Sequence, residues 1–142
     1  MDTQGLTLHA TTVAFEGKGI MIFGQSGSGK SSLALELIGL GADLVADDRT
    51  LVESTAGRVV ASSPSAITGL IEARGVGILP VQYVKSAAVV LTVDMSCVET
   101  ERLPLQHSMT VLDIPLPCLH KVNAPYFPAA IRTYLRGLKV EM

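Results

Sequence analysis

A chain of 142 residues, 48% apolar and 17% charged with a net charge of −2, has the length of one domain and enough apolar side chain to bury a core, which excludes a disordered tail. Without a Lys or Arg run it predicts no nucleic-acid footprint and no attraction to an anionic membrane surface, and apolar stretches such as Ala87 to Val93 are far too short to span a bilayer. Tryptophan is absent and aromatics are 4%, so the core must come from Leu, Ile, Val and Ala. Met1-Asp2-Thr3-Gln4 has neither a basic region nor an apolar one, so no secretion signal is expected, and Cys97 and Cys118 lack metal-type spacing and read as reduced cytoplasmic residues.

In chain order, β-rich sequence runs from Leu6 to Phe15, Glu16-Gly17-Lys18-Gly19 reads as a turn, and Gly19 to Phe23 is a short apolar strand. Ser31 to Leu40 reads as a helix with Leu33, Leu37, Ile38 and Leu40 on its apolar side and Gly41 at its stop. Asp43 to Ala46 is a short strand ending in Asp47-Asp48. Leu51 to Glu53 and Arg58 to Ala61 form a hairpin around Thr55-Ala56-Gly57. Ala87 to Val93 is the strongest signal for a buried strand, and Thr110 to Ile114 reads as another. Pro115 and Pro117 argue against regular pairing after it. Pro128 at a helix start, followed by Ala129 to Leu138, predicts a closing helix. Strands predominate without regular βαβ alternation, so the expected fold class is α/β with a mixed sheet and few helices, in a single domain over 1–142.

The chemistry concentrates in Gly24-Gln25-Ser26-Gly27-Ser28-Gly29-Lys30-Ser31, a complete G-x-x-x-x-G-K-S phosphate loop lying between a predicted strand and a predicted helix. The glycines let backbone amides turn towards phosphate oxygens, Lys30 brings a positive charge, Ser31 offers a hydroxyl to Mg2+, and the helix N-terminus adds a field that favours anions. The sequence therefore predicts binding of a nucleoside triphosphate with a divalent metal. A phosphoryl-transfer site also needs an acid. Strand pattern alone favours Asp94, after Ala87 to Val93. Asp47-Asp48 follow the shorter run Leu44-Val45-Ala46, but adjacent carboxylates repel and need a cation or a split in protonation, which tilts the choice to the pair. Glu72-Ala73-Arg74-Gly75-Val76-Gly77-Ile78 reads equally as backbone packed close to a ligand or as a plain turn between strands. A histidine in a β-rich segment, as His9 is, is more often structural than functional.

Taken together, Gly19 to Ser31, Ala34-Leu35-Glu36-Leu37, Gly41 and Leu44 to Asp48 resemble the catalytic domain of bacterial HPr kinase/phosphorylase. Ile71-Glu72-Ala73-Arg74-Gly75-Val76-Gly77-Ile78 is similar to that family's signature, with Ala73 where isoleucine is usual, and His9 stands where the family has a histidine upstream of its loop. The resemblance runs from His9 to about Val81 and is to the compact form, catalytic domain only, of alphaproteobacteria. It implies a nucleotide-binding fold like that of phosphoenolpyruvate carboxykinase. It implies ATP and Mg2+ as cofactors, Lys30 on the phosphates, Ser31 and Glu72 on the metal, and Asp48 as general base with His9 beside it. Asp47, Arg74 and Lys121 are accessory positions. The partner implied is the phosphocarrier protein HPr, phosphorylated on a serine, and a cytoplasmic homo-oligomer is expected.

The reading that follows is an ATP- and Mg2+-dependent protein serine kinase acting on HPr. A small-molecule kinase using the same loop, or a nucleotide-sensing module without transfer activity, are its alternatives. The family's later arginine-bearing segment is replaced here by Pro117-Cys118-Leu119-His120-Lys121, and Arg102, His120, Lys121, Arg132, Arg136 and Lys139 are scattered. Phosphorolysis, which gathers a further phosphate dianion, is therefore expected to be weak, because Lys121 has no guanidinium fork for bidentate phosphate binding.

Overall fold

The computed structural model describes residues 5–137. In chain order the elements are β1 (Gly5–Leu8), β2 (Ala10–Phe15), β3 (Lys18–Phe23), α1 (Lys30–Gly39), β4 (Asp43–Ala46), β5 (Thr50–Thr55), β6 (Arg58–Ser62), a single 3-10 turn at Ser65–Ile67, β7 (Leu70–Ala73), β8 (Gly77–Pro80), β9 (Ser86–Val98), β10 (His107–Val111), β11 (Ile114–Lys121) and α2 (Phe127–Gly137). The expected mixed sheet is present. Its path is β1-β5-β6-β9-β3-β2-β4, with β11 also on β9 and β10 on β11, while β7 and β8 form a separate hairpin. β9 runs parallel to β3 and to β11, and the other pairings are antiparallel.

The long strand β9 forks the sheet. Its start pairs with β6 through Ser86 to Ala88, its later part pairs with β11 from Thr92 onward, and β3 occupies its other edge from Ala88 to Asp94. One extra residue makes this possible. Gly19 pairs with Val89 but Ile20 pairs with Leu91, so Val90 is a bulge. Side chains alternate with a period of two, and an inserted residue therefore exchanges the faces. Ala87 and Val89 accordingly pack with Met21, Val52 and Val59 on one side of the sheet. Leu91, Val93 and Met95 pack with Ile20, Ile22, Leu33 and Leu37 on the other. That second side is closed by the two helices, where Leu33, Ala34 and Leu37 of α1 and Ile131 and Leu135 of α2 are buried.

Local sequence accounts for most boundaries. Helix α1 stops as expected: Gly41 takes φ 110° and its amide donates to Ile38 O at 2.9 Å, while Ala42 N reaches Leu37 O at 3.0 Å. Two expectations need correction, at Thr110 to Ile114 and at Pro115 and Pro117, and two others are sharpened. The β-rich segment Leu6 to Phe15 is two strands broken at His9, because β1 pairs with β5 whereas β2 pairs with β3 and β4. Thr110 to Ile114 is not one strand: Leu112 and Asp113 have φ 51° and 65°, a two-residue hairpin turn hidden in an apolar run. Pro115 and Pro117 lie inside β11, paired opposite Thr110 and Ser108. Two residues apart, they turn their backbone groups to the same edge, and Pro117 O accepts from Thr92 Oγ1 at 2.9 Å on the β9 side. The ladder with β9 starts only at Cys118, so no β9 hydrogen bond is lost to the missing N–H groups. The closing helix begins at Phe127, with Pro128 in its first turn, and its expected last residue, Leu138, lies outside the described residues, as does Lys139.

Candidate functional site

Topology brings the motif residues together. β3 and β4 both run antiparallel to β2 and therefore run the same way. Ala10 pairs with Phe23 and Thr12 with Ala46. The ends of β3 and β4 and the beginning of β2 thus share one edge of the sheet. The phosphate loop leaves β3 there, Asp47-Asp48 leave β4 there, and His9 sits at the step from β1 to β2.

The loop itself is shaped by glycine where it must be. Gly24 has φ 152°, and a Cβ added to it would meet the Ser28 side chain and lie 3.0 Å from Met95 Cβ. Gly29 caps α1 at φ 101°. Ser28 N closes the loop on Gln25 O at 2.9 Å. Lys30 is 5% exposed, and its Nζ donates to Gly24 O at 2.9 Å and Gln25 O at 3.3 Å, which holds the ammonium against the loop. Ser28 Oγ is buried with no hydrogen-bond partner among the described residues. Ser28 lines the other flank of the loop, whereas a glycine loop leading into a helix N-terminus is suited to phosphate oxygens. Together these features fit a nucleotide phosphate chain.

Opposite the loop, the two aspartates are held differently. Asp47 Oδ1 accepts from Ser31 Oγ at 2.6 Å and Thr11 Oγ1 at 3.2 Å, and Oδ2 accepts from Glu72 N at 3.0 Å. Asp48 has φ 70°, in the left-handed region of the backbone map. Its amide donates to Thr11 Oγ1 at 3.0 Å, and its Oδ1 lies 2.7 Å from His9 Nε2. Asp48 and His9 are both more than half exposed. Asp47 is buried, as is Thr11. One buried hydroxyl therefore orders both acids. Thr11 went unnoticed in the sequence because threonine in a strand is commonplace.

A cleft of about 220 Å3 joins these groups, with Ser26, Gly27, Lys30 and Ser31 on the loop side and Asp47 and Asp48 facing them. Glu72 and Arg74 complete it. They come from the β7–β8 hairpin, which is docked beside β4 because Leu44 N donates to Gln82 O and Val84 N to Leu44 O, both at 3.0 Å. The motif that read equally as a turn is thus a turn that carries two cleft residues. The oxygens of Ser31, Asp47 and Glu72 are a hard donor set of the kind Mg2+ takes. Lys121 is elsewhere. It lines a separate hollow of about 400 Å3 with Asn123, Ser28 and Ser32, against the other flank of the loop.

Asp94 takes no part in the cleft. It pairs opposite Phe23, one strand from the loop, but its Oδ1 accepts from Ser96 Oγ at 2.6 Å and Ser96 N at 3.0 Å, and its Oδ2 lies 3.4 Å from Cys97 Sγ. Partial burial works to raise its pKa, but the Ser96 hydroxyl and amide and the Cys97 thiol outweigh it and hold the carboxyl below its ordinary value. The same hydrogen bond to Asp94 pushes the Cys97 thiol up.

Fold and cleft define a phosphate-loop protein built on a curled mixed sheet. The family model described as HPr Serine kinase C-terminal domain matches residues 3–116, and the chain belongs to that family. The HPr kinase/phosphorylase of Clostridium tetani is 43% identical over 86 residues, covering 61% of this chain and 28% of the relative. That of an Exiguobacterium species is 36% identical over 125 residues, covering 79% of this chain and 40% of the relative. The chain therefore spans less than half the length of these relatives. The solved Hpr(Ser) kinase/phosphatase from Coxiella burnetii superposes with a TM-score of 0.80 at 27% identity, over 96% of this chain and 98% of that one.

Proposed function

We propose that this chain is a protein serine kinase that transfers the γ-phosphoryl group of ATP to a seryl hydroxyl of HPr, in the cytoplasm and as one catalytic domain. The observation that carries the reading is the meeting of a complete phosphate loop, a pair of aspartates and a histidine at one edge of the sheet. Family membership and the names of the relatives support it.

The loop amides and Lys30 hold the phosphate chain, and the α1 N-terminus adds its field. Ser31, Asp47 and Glu72 would hold Mg2+, which when bound neutralises phosphate charge. Asp48 lies at the exposed mouth of the cleft, where a hydroxyl on another protein can reach it. The seryl oxygen forms its bond to the γ-phosphorus as the bond from that phosphorus to the β–γ bridging oxygen breaks, and ADP leaves with that electron pair. The seryl proton passes to Asp48. His9 Nε2 occupies Oδ1 of Asp48, which orients the carboxyl and leaves Oδ2 for the proton. The reverse phosphorolysis is expected to be weak, since Lys121 lies outside the cleft.

The test is to incubate the pure chain with γ-labelled ATP and Mg2+, in one arm with HPr and in another with a pool of small metabolites. Label on an HPr serine supports the proposal. Label absent from HPr but present on a metabolite would replace the substrate, and nucleotide binding with no transfer at all would leave a sensing module.

A further inference from the structure

Three side chains, eight and thirteen residues apart in sequence, meet at the end of the sheet where β9 and β11 end and β10 begins. Glu99 follows β9, His107 opens β10, and His120 is next to last in β11. Glu99 is set by its surroundings. Its amide donates to Lys121 O at 2.8 Å. Its Oε2 accepts from Thr100 N and Glu101 N, both at 3.1 Å, which fixes the carboxylate plane and aims Oε1 at the histidines. His107 Nε2 lies 2.9 Å from Oε1 and His120 Nδ1 lies 3.9 Å from it. The two imidazoles stack with centroids 3.8 Å apart and planes within 6°. Glu99 is 11% exposed, His107 33% and His120 25%, so the group is sheltered yet reachable from solvent.

We propose that Glu99, His107 and His120 form a binding site for a borderline divalent transition-metal ion of the Zn2+ class, separate from the phosphate cleft. The donor set is two imidazoles and one carboxylate, which suits Zn2+ and its neighbours and not Mg2+ or Ca2+, which take oxygen. One ligand atom from each residue lies within 4.8 Å of the other two. Around a tetrahedral Zn2+ with bonds of about 2.0–2.1 Å, ligand atoms sit roughly 3.3–3.5 Å apart, and the separations of 2.9 and 3.9 Å straddle that value; an imidazole binds metal in its ring plane, so the two stacked rings must turn out of parallel as the ion enters. The hydrogen bonds to Oε2 supply the outer support that orients a metal-bound carboxylate. Three protein ligands leave a fourth position for water. None of the three residues lines the phosphate cleft, so the ion acts as a staple. It ties the end of β9 to β10 and β11, closes the segment 100–106, and fixes the strand end that carries Lys121 towards the loop's other flank.

The chain has three histidines, His9, His107 and His120, which makes a direct test possible on the unmodified protein. The chelator-stripped chain, held at saturating Mg2+, is titrated with Zn2+ while the imidazole NMR resonances and the binding heat are followed. The expected result is one ion per chain, with shifts at His107 and His120 and none at His9. His107→Gln and His120→Gln each weaken binding by at least about tenfold and abolish the rise in melting temperature that Zn2+ gives the wild type, whereas His9→Gln leaves both intact. No binding, shifts confined to His9, or unchanged affinity in both His107→Gln and His120→Gln would overturn the site and leave an ordinary histidine–glutamate pair. Should either variant fail to fold, the wild-type resonances decide alone.

Discussion

Two strands deliver an aspartate beside the phosphate loop, and the more distant one supplies the cleft. β9 is the immediate neighbour of β3, and Asp94 pairs opposite Phe23, the last residue before the loop. β4 is separated from β3 by β2, yet Asp47 is hydrogen-bonded to Ser31 of the loop helix and Asp48 lines the same cleft. The difference is local. Asp94 stays within a continuing strand, where Ser96 and Cys97 take both its oxygens. The chain after Ala46 leaves the sheet, and its two acids take different partners, Ser31 and Thr11 for Asp47 and His9 for Asp48. Strand adjacency places a residue near a loop, and the turn that follows decides whether its side chain is free for chemistry.

The largest effect expected at the cleft end is from Lys30→Ala. Removing the ammonium that Lys30 places in the cleft should lower transfer by about a thousandfold. The melting temperature should move by only a few degrees, since two neutral carbonyls lose a donor at the edge of the fold. Parallel melting and phosphorylation assays check both, and activity within a few-fold of wild type would remove the loop from the account. Thr11→Val keeps shape and deletes the hydroxyl that orders both acids. It should destabilise the fold by about 1–3 kcal/mol in a denaturant titration, because Asp47 Oδ1 loses a buried donor and Asp48 N an acceptor, and transfer should fall with it. A neutral Thr11→Val would mean that the acids are ordered by other contacts.

Smaller effects sharpen the contrast. Glu72→Gln keeps the backbone amide that holds Asp47 and should raise the Mg2+ concentration needed for half-maximal transfer by a few-fold, with little change at saturation. An unchanged Mg2+ titration would make Glu72 a structural residue. Asp94→Asn should act on stability. Because the folded pKa of Asp94 is held below its ordinary 3.8, its contribution is present in full above that pH and is lost as pH falls through the lower folded value. The melting difference between wild type and Asp94→Asn should therefore be constant above about pH 5, correspond to about 1 kcal/mol or less, and shrink below pH 3.8. A difference that grows in acid would refute the assignment of Asp94 as a hydrogen-bonded structural carboxylate.

The parts of this molecule visible in the sequence are those where local chemistry and tertiary position agree. The phosphate loop, helix α1 with its Gly41 stop, and the β5–β6 hairpin through Ala56 and Gly57 follow from residues close together in the chain. Asp47-Asp48 stood out because two adjacent acids need an explanation. What stayed hidden depends on partners remote in sequence. Pro115 and Pro117 are tolerated only because β9 does not pair with that part of β11. The Val90 bulge is a property of two strands in register. Thr11 gains its role from a turn 36 residues away. Glu99, His107 and His120 carry no spacing that marks them as a group until three strands bring them together.

The central claim is that the carboxylate from β4, and not the one from β9, accepts the seryl proton. Single-turnover transfer from γ-labelled ATP to HPr, at saturating Mg2+, by wild type, Asp48→Asn and Asp94→Asn tests it most directly. Asp48→Asn should bind nucleotide normally and transfer at least about a hundredfold more slowly, while Asp94→Asn stays within a few-fold of wild type. A slow Asp94→Asn beside a fully active Asp48→Asn would contradict the account.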